Sequence, residues 1–322
     1  MQKNRKRKLK SAETETKSAK INNGNKEEPY PTHPRPTPEE CLCIRDSLLA
    51  FHGFPQEFAK YRKQRLGGDD DNKSSDVNSD TAEETVLDGL VKTVLSQNTT
   101  EVNSQRAFDN LKSDFPTWQD VLAAEPKWIE NAIRCGGLAP AKASCIKNIL
   151  NCLLEKKGKI CLEYLRDMSV DEIKAELSQF KGVGPKTVAC VLMFHLQQED
   201  FPVDTHVSAR FIMYCQNSHG TKNSGFQSCS LENKHMQVFE IAKALGWVPE
   251  VADRNKTYLH LNQRIPNELK FDLNCLLYTH GKLCRKCIKK RGNQSRKESH
   301  DDSCPLLSYC NSSSVKTTDE IN

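Results

Sequence analysis

What the chain lacks narrows it first. No apolar run in its 322 residues reaches the roughly 20 needed to cross a bilayer, and the longest, Val188 to Leu196, contains His195. The first residues hold no apolar core segment, so no secretory signal is expected. No stretch of any length alternates apolar and polar residues as a half-buried strand does, and no segment repeats another. Large apolar groups are scarce: 37% of residues are hydrophobic, little for a wholly folded chain, so part of the length is expected to be disordered. The remainder suffices for one or two domains with a real core.

Cysteine, by contrast, is plentiful. Fourteen cysteines without a secretory signal point to reduced thiols, with any special ones serving a metal. The net charge is a modest +5, but basic residues cluster in KNRKRKLK (3–10) and RKCIKKRGNQSRK (285–297), as suits a polyanionic partner; a solvated tail is the plainer reading. The first run also fits a nuclear-localisation signal, so nuclear residence is expected.

Residues 1–37 read as a disordered basic tail and 66–80 as a disordered acidic insertion; 311–322 read as a second tail. PTPEECLCIRDSLLAFHGF reads as a helix with Thr37 as N-cap and Pro38 in its first turn. From Thr81 the apolar spacing is helical almost throughout. It runs through TAEETVLDGLVKTVLSQ, TEVNSQRAFDNLKSDF, EPKWIENAIRC, PAKASCIKNILNCLLEKKG and SVDEIKAELSQF, then HMQVFEIAKALGW and PNELKFDLNCLLYTHG. A Ser-, Asn- and Gly-rich loop, Gln216 to Asn233, separates the last two from the rest. An all-α fold is predicted.

FKGVGPKTVAC (180–190) superficially resembles a phosphate-cradling loop. A P-loop needs G-x-x-x-x-G-K-[ST] after a buried strand. Here Pro185 precedes Lys186, the position of the first glycine is not a glycine, and the segment before is helical. What remains is helix, tight turn, helix. Gly182 and Gly184 permit a turn with positive φ, and Pro185 suits the first turn of the next helix. Backbone N–H groups at such a helix start can take one phosphate without reading sequence.

DEIKAELSQFKGVGPKTVACVLMF followed by FPVDTHV resembles the helix-hairpin-helix and Gly/Pro-Asp signature of the endonuclease III-like DNA glycosylases. LSQNTTEVNSQRAFDNL, IRCGGLAPAKASCIKNI, IAKALGWVP and YTHGKLC extend the resemblance over most of 84–310. The phrases LSQN, CLEYLRDMS, FPVDT and GWVP look closer to the plant 5-methylcytosine glycosylases. The resemblance implies two helical subdomains flanking a DNA-binding cleft. One is a six-helix-barrel-like unit over 81–200; the other is discontinuous, 38–65 plus 201–310, and carries the cysteine cluster.

It implies a bifunctional glycosylase and AP lyase of base excision repair. Such an enzyme would act on double-stranded DNA with a modified, chiefly oxidised, pyrimidine, and as a monomer. The alternatives are a 5-methylcytosine glycosylase and a non-catalytic helix-hairpin-helix DNA-binding protein.

Lys186 matches the family's nucleophile. A free lysine is mostly protonated at neutral pH, and burial or nearby positive dipole charge would lower the cost of deprotonation. Asp204 matches the catalytic carboxylate, although PVDTHVSARFIMY also reads as a helix capped by that aspartate. His206 matches a position near DNA or is an ordinary first-turn histidine.

Gln97 or Asn98 would fill the gap left by a flipped nucleotide; a helix cap is the plainer reading. Leu138 would wedge between bases or lie in the core. Lys142 and Lys181 read as phosphate contacts, and Gly182, Gly184 and Thr187 belong to the DNA-gripping hairpin. The family commonly ends in C-x6-C-x2-C-x5-C on a [4Fe–4S] cluster. Here Cys284, Cys287, Cys304 and Cys310 are the candidate ligands, with Asp301 where a ligand is expected. Zinc, or no metal, are the alternatives.

Overall fold

The computed structural model describes residues 28–67, 84–203, 238–284 and 304–311, and among these there is no strand. The helices are α1 (Pro38–His52), α2 (Ala59–Arg65), α3 (Val86–Leu95), α4 (Glu101–Asp114), α5 (Trp118–Ala123), α6 (Pro126–Ala132), α7 (Ala139–Lys157), α8 (Val170–Leu177), α9 (Pro185–Cys190), α10 (Val238–Ala244), α11 (Arg254–Arg264), α12 (Asn267–Leu283) and α13 (Leu307–Asn311). The protein is all-α, as the spacing predicts. The basic runs 3–10 and 285–297, residues 68–80 of the insertion 66–80, the loop 216–233, residues 312–322 of the tail 311–322, and Asp204, His206 and Cys287 lie outside the described residues.

The helix starts follow from local chemistry. Thr37 accepts from the Glu40 N–H, with Pro38 at the first position. Thr85 with Asp88, and Ser169 with Glu172, form reciprocal capping pairs that open α3 and α8. Each satisfies backbone donors that a helix start leaves without partners. α9 runs on without a break into a π-helical turn, Val191–His195, whose Val191, Leu192 and Met193 are buried.

Apolar side chains gather into two main clusters. One joins α3 to α9, with Leu90, Val94, Ile146, Ile149 and Leu192 fully buried. The other joins α1, residues 201–203 and α10 to α13 around Trp247 and Phe201. A smaller cluster of Met193, Phe271 and Cys275 with Phe54, Phe58, Tyr61 and Phe194 lies at their junction. Polar ties reinforce the junction. Arg65 donates to the carbonyls of Met193 and Gln198. Glu84 receives Lys60 and Lys92 at 2.8 and 2.9 Å and lies 3.3 Å from His195 Nδ1. Burial alone would raise the Glu84 carboxyl pKa, but His195, Lys60 and Lys92 outweigh it and hold it low.

One expectation needs correction. Residues 28–36, assigned to the disordered tail, are packed on the second cluster. His33 Nε2 donates to Gly246 O, His260 Nε2 donates to Arg35 O, and Glu28 pairs with Arg264. Polar contacts hold this segment, so its low hydrophobicity gave no sign of it. α11 also escapes the apolar periodicity, because its buried face is Thr257, His260 and Leu261. Polar residues with partners can line a core where apolar ones would be expected.

Candidate active site and nucleic-acid interface

The hairpin between α8 and α9 is set by Gly182. Its φ is +97°, and a Cβ there would meet Cys145 Sγ of α7 at 2.8 Å. Both the backbone conformation and the close approach of α7 therefore exclude a side chain. Gly184 differs from the expectation: its φ is −96°, an extended conformation open to any residue, and nothing lies within 4 Å of a Cβ built on it. Lys181 is exposed, and its N–H donates to Asn148 Oδ1 at 2.9 Å.

Lys186 occupies the first turn of α9, directly after Pro185. Its side chain is exposed, although neighbouring atoms crowd the amine. Burial lowers its ammonium pKa, with Cys190, one turn on, pulling weakly the other way. Its exposure makes this a direction rather than a large displacement. The Cys190 thiol is itself pushed up by burial and is protonated at neutral pH.

Thr187 is buried, and its Oγ1 accepts from Gln97 Nε2 at 3.2 Å. The Thr187 hydroxyl therefore faces the end of α3 and is not presented to DNA, which corrects its assignment as a contact. The same bond separates the two neighbouring amides. Gln97 faces α9, whereas Asn98 has φ +52° and makes the left-handed turn that ends the helix.

Lys142 is also corrected. It is 2% exposed, and its Nζ donates to Leu95 O at 2.7 Å and Gly136 O at 2.8 Å. Burial brings its pKa down to about 8. It ties the end of α3 to the turn before α7 and does not reach outward to a phosphate. Leu138, in that turn, is 54% exposed with φ +51° and ψ +31°. A leucine in this region is sterically costly, and one so exposed is no core residue. Gln97, Leu138 and Lys186 thus stand on three elements joined by Lys142 and by the Gln97–Thr187 bond.

Sequence reasoning missed the residues that anchor the crossing toward Asp204. Asp200 is buried; its carboxylate accepts from Tyr258 Oη at 2.8 Å and the Phe201 N–H at 2.8 Å, and pairs with Lys174 at 2.7 Å. Asn262 bonds both the N–H and the carbonyl of Phe201, and Asn274 Nδ2 donates to Pro202 O at 2.8 Å. The backbone is therefore held on both sides up to Pro202, two residues before Asp204. No periodicity or motif signals such a clamp, because its partners are about sixty to seventy positions away in the chain.

Of the four cysteines assigned to the tail site, Cys284 and Cys304 come together, and the imidazole of His280 joins them. Their ligand atoms lie within 4.8 Å of one another, so this set could hold a metal ion. Burial would lower the His280 pKa, but the facing thiols of Cys284 and Cys304 carry it up to about 9. Cys310 is half-buried against the same apolar cluster. The signal available in sequence was the H-x3-C spacing of HGKLC, which puts both donors on one helix face.

Residues 91–226 match the model of the HhH-GPD superfamily base excision DNA repair proteins. A provisionally named DNA glycosylase of Arabidopsis thaliana is 58% identical over 297 residues, covering 90% of each chain. DNA glycosylase/AP lyase ROS1 of the same plant is 26% identical over 214 residues, 61% of this chain but 12% of that much longer protein. A trapped endonuclease III–DNA covalent intermediate aligns with TM-score 0.49 and 19% identity over 76% of this chain and 86% of that one. By its family match and by the near full-length relative, the chain belongs to the HhH-GPD superfamily of base excision DNA repair proteins.

Proposed function

We propose that the protein is a bifunctional DNA glycosylase and AP lyase that excises an oxidised pyrimidine from duplex DNA. The observation that carries this reading is the placement of Lys186 in the first turn of α9, directly after the hairpin, where neighbouring atoms lower its ammonium pKa. Similarity to ROS1, named as a glycosylase and AP lyase, supports the same chemistry.

The hairpin approaches a phosphate with its backbone, which Gly184 leaves open. Leu138 enters the base stack beside the target nucleotide, and Gln97 occupies the space that the flipped base vacates. The neutral Lys186 amine attacks C1′. The bond from C1′ to the base breaks, the base leaves with the electron pair, and the amine gives up a proton. Ring opening yields an iminium at C1′. Loss of a C2′ proton then expels the 3′ phosphate by β-elimination. Asp204 is assigned to stabilising positive charge at C1′ and assisting proton transfer, and the clamp on residues 200–202 fixes the chain that leads to it. The [4Fe–4S] cluster implied by the resemblance takes part in no step, and the close His–Cys–Cys set found among the described residues is a poor match to four thiolates on four irons.

Borohydride trapping on duplexes with an abasic site or an oxidised pyrimidine tests the proposal. Wild type is expected to give a covalent adduct and Lys186→Gln none. No adduct from wild type, or an undiminished one from the variant, overturns the mechanism; salt-dependent binding without cleavage would identify a non-catalytic binder. Faster excision of 5-methylcytosine than of the oxidised base would overturn the substrate and leave the chemistry intact.

A further inference from the structure

The donor set at the end of α12 has a geometry of its own. His280 and Cys284 are four residues apart and share one helix face, and Cys304 comes from the segment leading into α13. His280 and Cys304 are buried, and no carboxylate belongs to the group. One imidazole with thiolates suits zinc and similar ions and does not suit calcium or magnesium.

Separation distinguishes one ion from a cluster. In a four-iron cubane each thiolate holds its own iron, so the ligand sulfurs stand well apart at the outer corners. Around one zinc, bonds of about 2.0 Å to nitrogen and about 2.3 Å to sulfur put neighbouring ligand atoms about 3.6 Å apart. His280 Nε2 lies 3.6 Å from Cys304 Sγ, a tetrahedral edge, and the whole set fits within 4.8 Å. The other ring nitrogen of His280, Nδ1, lies 2.9 Å from His52 Nε2 at the end of α1. An outer partner of this kind fixes the tautomer of a metal-bound histidine and turns its free lone pair toward the ion.

We propose that His280, Cys284 and Cys304 bind a single zinc ion, that a donor outside this group completes the tetrahedron, and that His52 orients His280. The ion fastens residues 304–311 to α12 and, through His52, to α1. Because it binds the folded chain, it stabilises the fold. The proposal rests on donor geometry alone, so its failure leaves the Lys186 chemistry untouched, and the reverse also holds.

The test uses the full chain, produced with iron and zinc both supplied and purified without oxygen. Metal and sulfide analysis is expected to give about one zinc per chain, and zinc-edge X-ray absorption a mixed sulfur and imidazole shell. Iron with acid-labile sulfide and broad visible absorption, no bound metal, or an all-sulfur zinc shell would each overturn it. In chelator competition His52→Gln is expected to weaken zinc retention about tenfold; unchanged retention removes His52 from the site. His280→Ala should lose the ion and His280→Cys keep it, and equal retention by His280→Ala and wild type overturns His280 ligation. If His280→Ala does not fold, the wild-type absorption spectrum still decides.

Discussion

Gln97 Nε2 donates to Thr187 Oγ1 across 3.2 Å, so the residue beside the proposed nucleophile also holds the amide at the end of α3. Removing that hydroxyl should loosen Gln97 without touching Lys186. Thr187→Val is expected to change stability by about 1 kcal/mol or less, the size of one net hydrogen bond. Excision from duplex DNA should fall about tenfold, equivalent to about 1.4 kcal/mol of transition-state binding. Trapping on a single-stranded abasic substrate should persist, since no base needs to be flipped there. Single-turnover kinetics on both substrates make the comparison.

Gly182 and Gly184 should respond oppositely to the same change. Gly182→Ala sets a side chain at φ +97° against Cys145 Sγ and is expected to cost about 2–4 kcal/mol in urea unfolding. Gly184→Ala has an ordinary φ and open space, so its unfolding midpoint should stay at the wild-type value. Its DNA affinity should nevertheless drop several-fold, because the added methyl stands where a phosphate would approach the backbone. Equal stability losses in both variants would contradict this division.

Leu138→Gly separates strain from function. The left-handed backbone at Leu138 costs a leucine about 1 kcal/mol that glycine does not bear, offset by the greater freedom of glycine in the unfolded chain. Thermal stability should therefore remain within about 1 kcal/mol of wild type. Duplex excision should fall at least about tenfold through loss of the exposed wedge. A core leucine would show the reverse pattern, a large stability loss with activity following it.

Lys142→Met should destabilise the fold by about 1–3 kcal/mol, because the carbonyls of Leu95 and Gly136 lose their buried donor. The pH dependence has a definite sign. Burial depresses the folded pKa to about 8, below the unfolded value of about 10.4, so between these values the unfolded chain binds the proton more tightly. The contribution of Lys142 is therefore fully present above about pH 10.4 and is lost as pH falls through about 8. The stability gap between wild type and Lys142→Met should widen from neutral to alkaline pH in denaturant titrations.

Legibility in the sequence followed the range of the interactions. Gly182, Pro185 and Lys186 were readable because a hairpin and a helix start are local: a few adjacent residues carry the whole constraint. The cap at Thr37 is local in the same way. Lys142 was not readable, since a lysine on an amphipathic helix reads alike whether it faces water or two carbonyls from distant turns. Leu138 had two readings until its exposure was known. His280 lies outside the cysteine pattern of the tail, and His52, its partner, lies 228 positions away.

Helix periodicity, turn chemistry and caps act within a few residues, so the helical class, the hairpin and the amine beside it are legible in the chain alone. Packing sets what stands around that amine. It turned Gln97 inward and Leu138 outward and took Lys142 out of solvent. It also clamped the backbone before Asp204 with Asn262 and Asn274, and set His280 against Cys284 and Cys304. Each of these outcomes depends on packing between elements far apart in the chain, where burial and the satisfaction of polar groups decide which way a side chain faces.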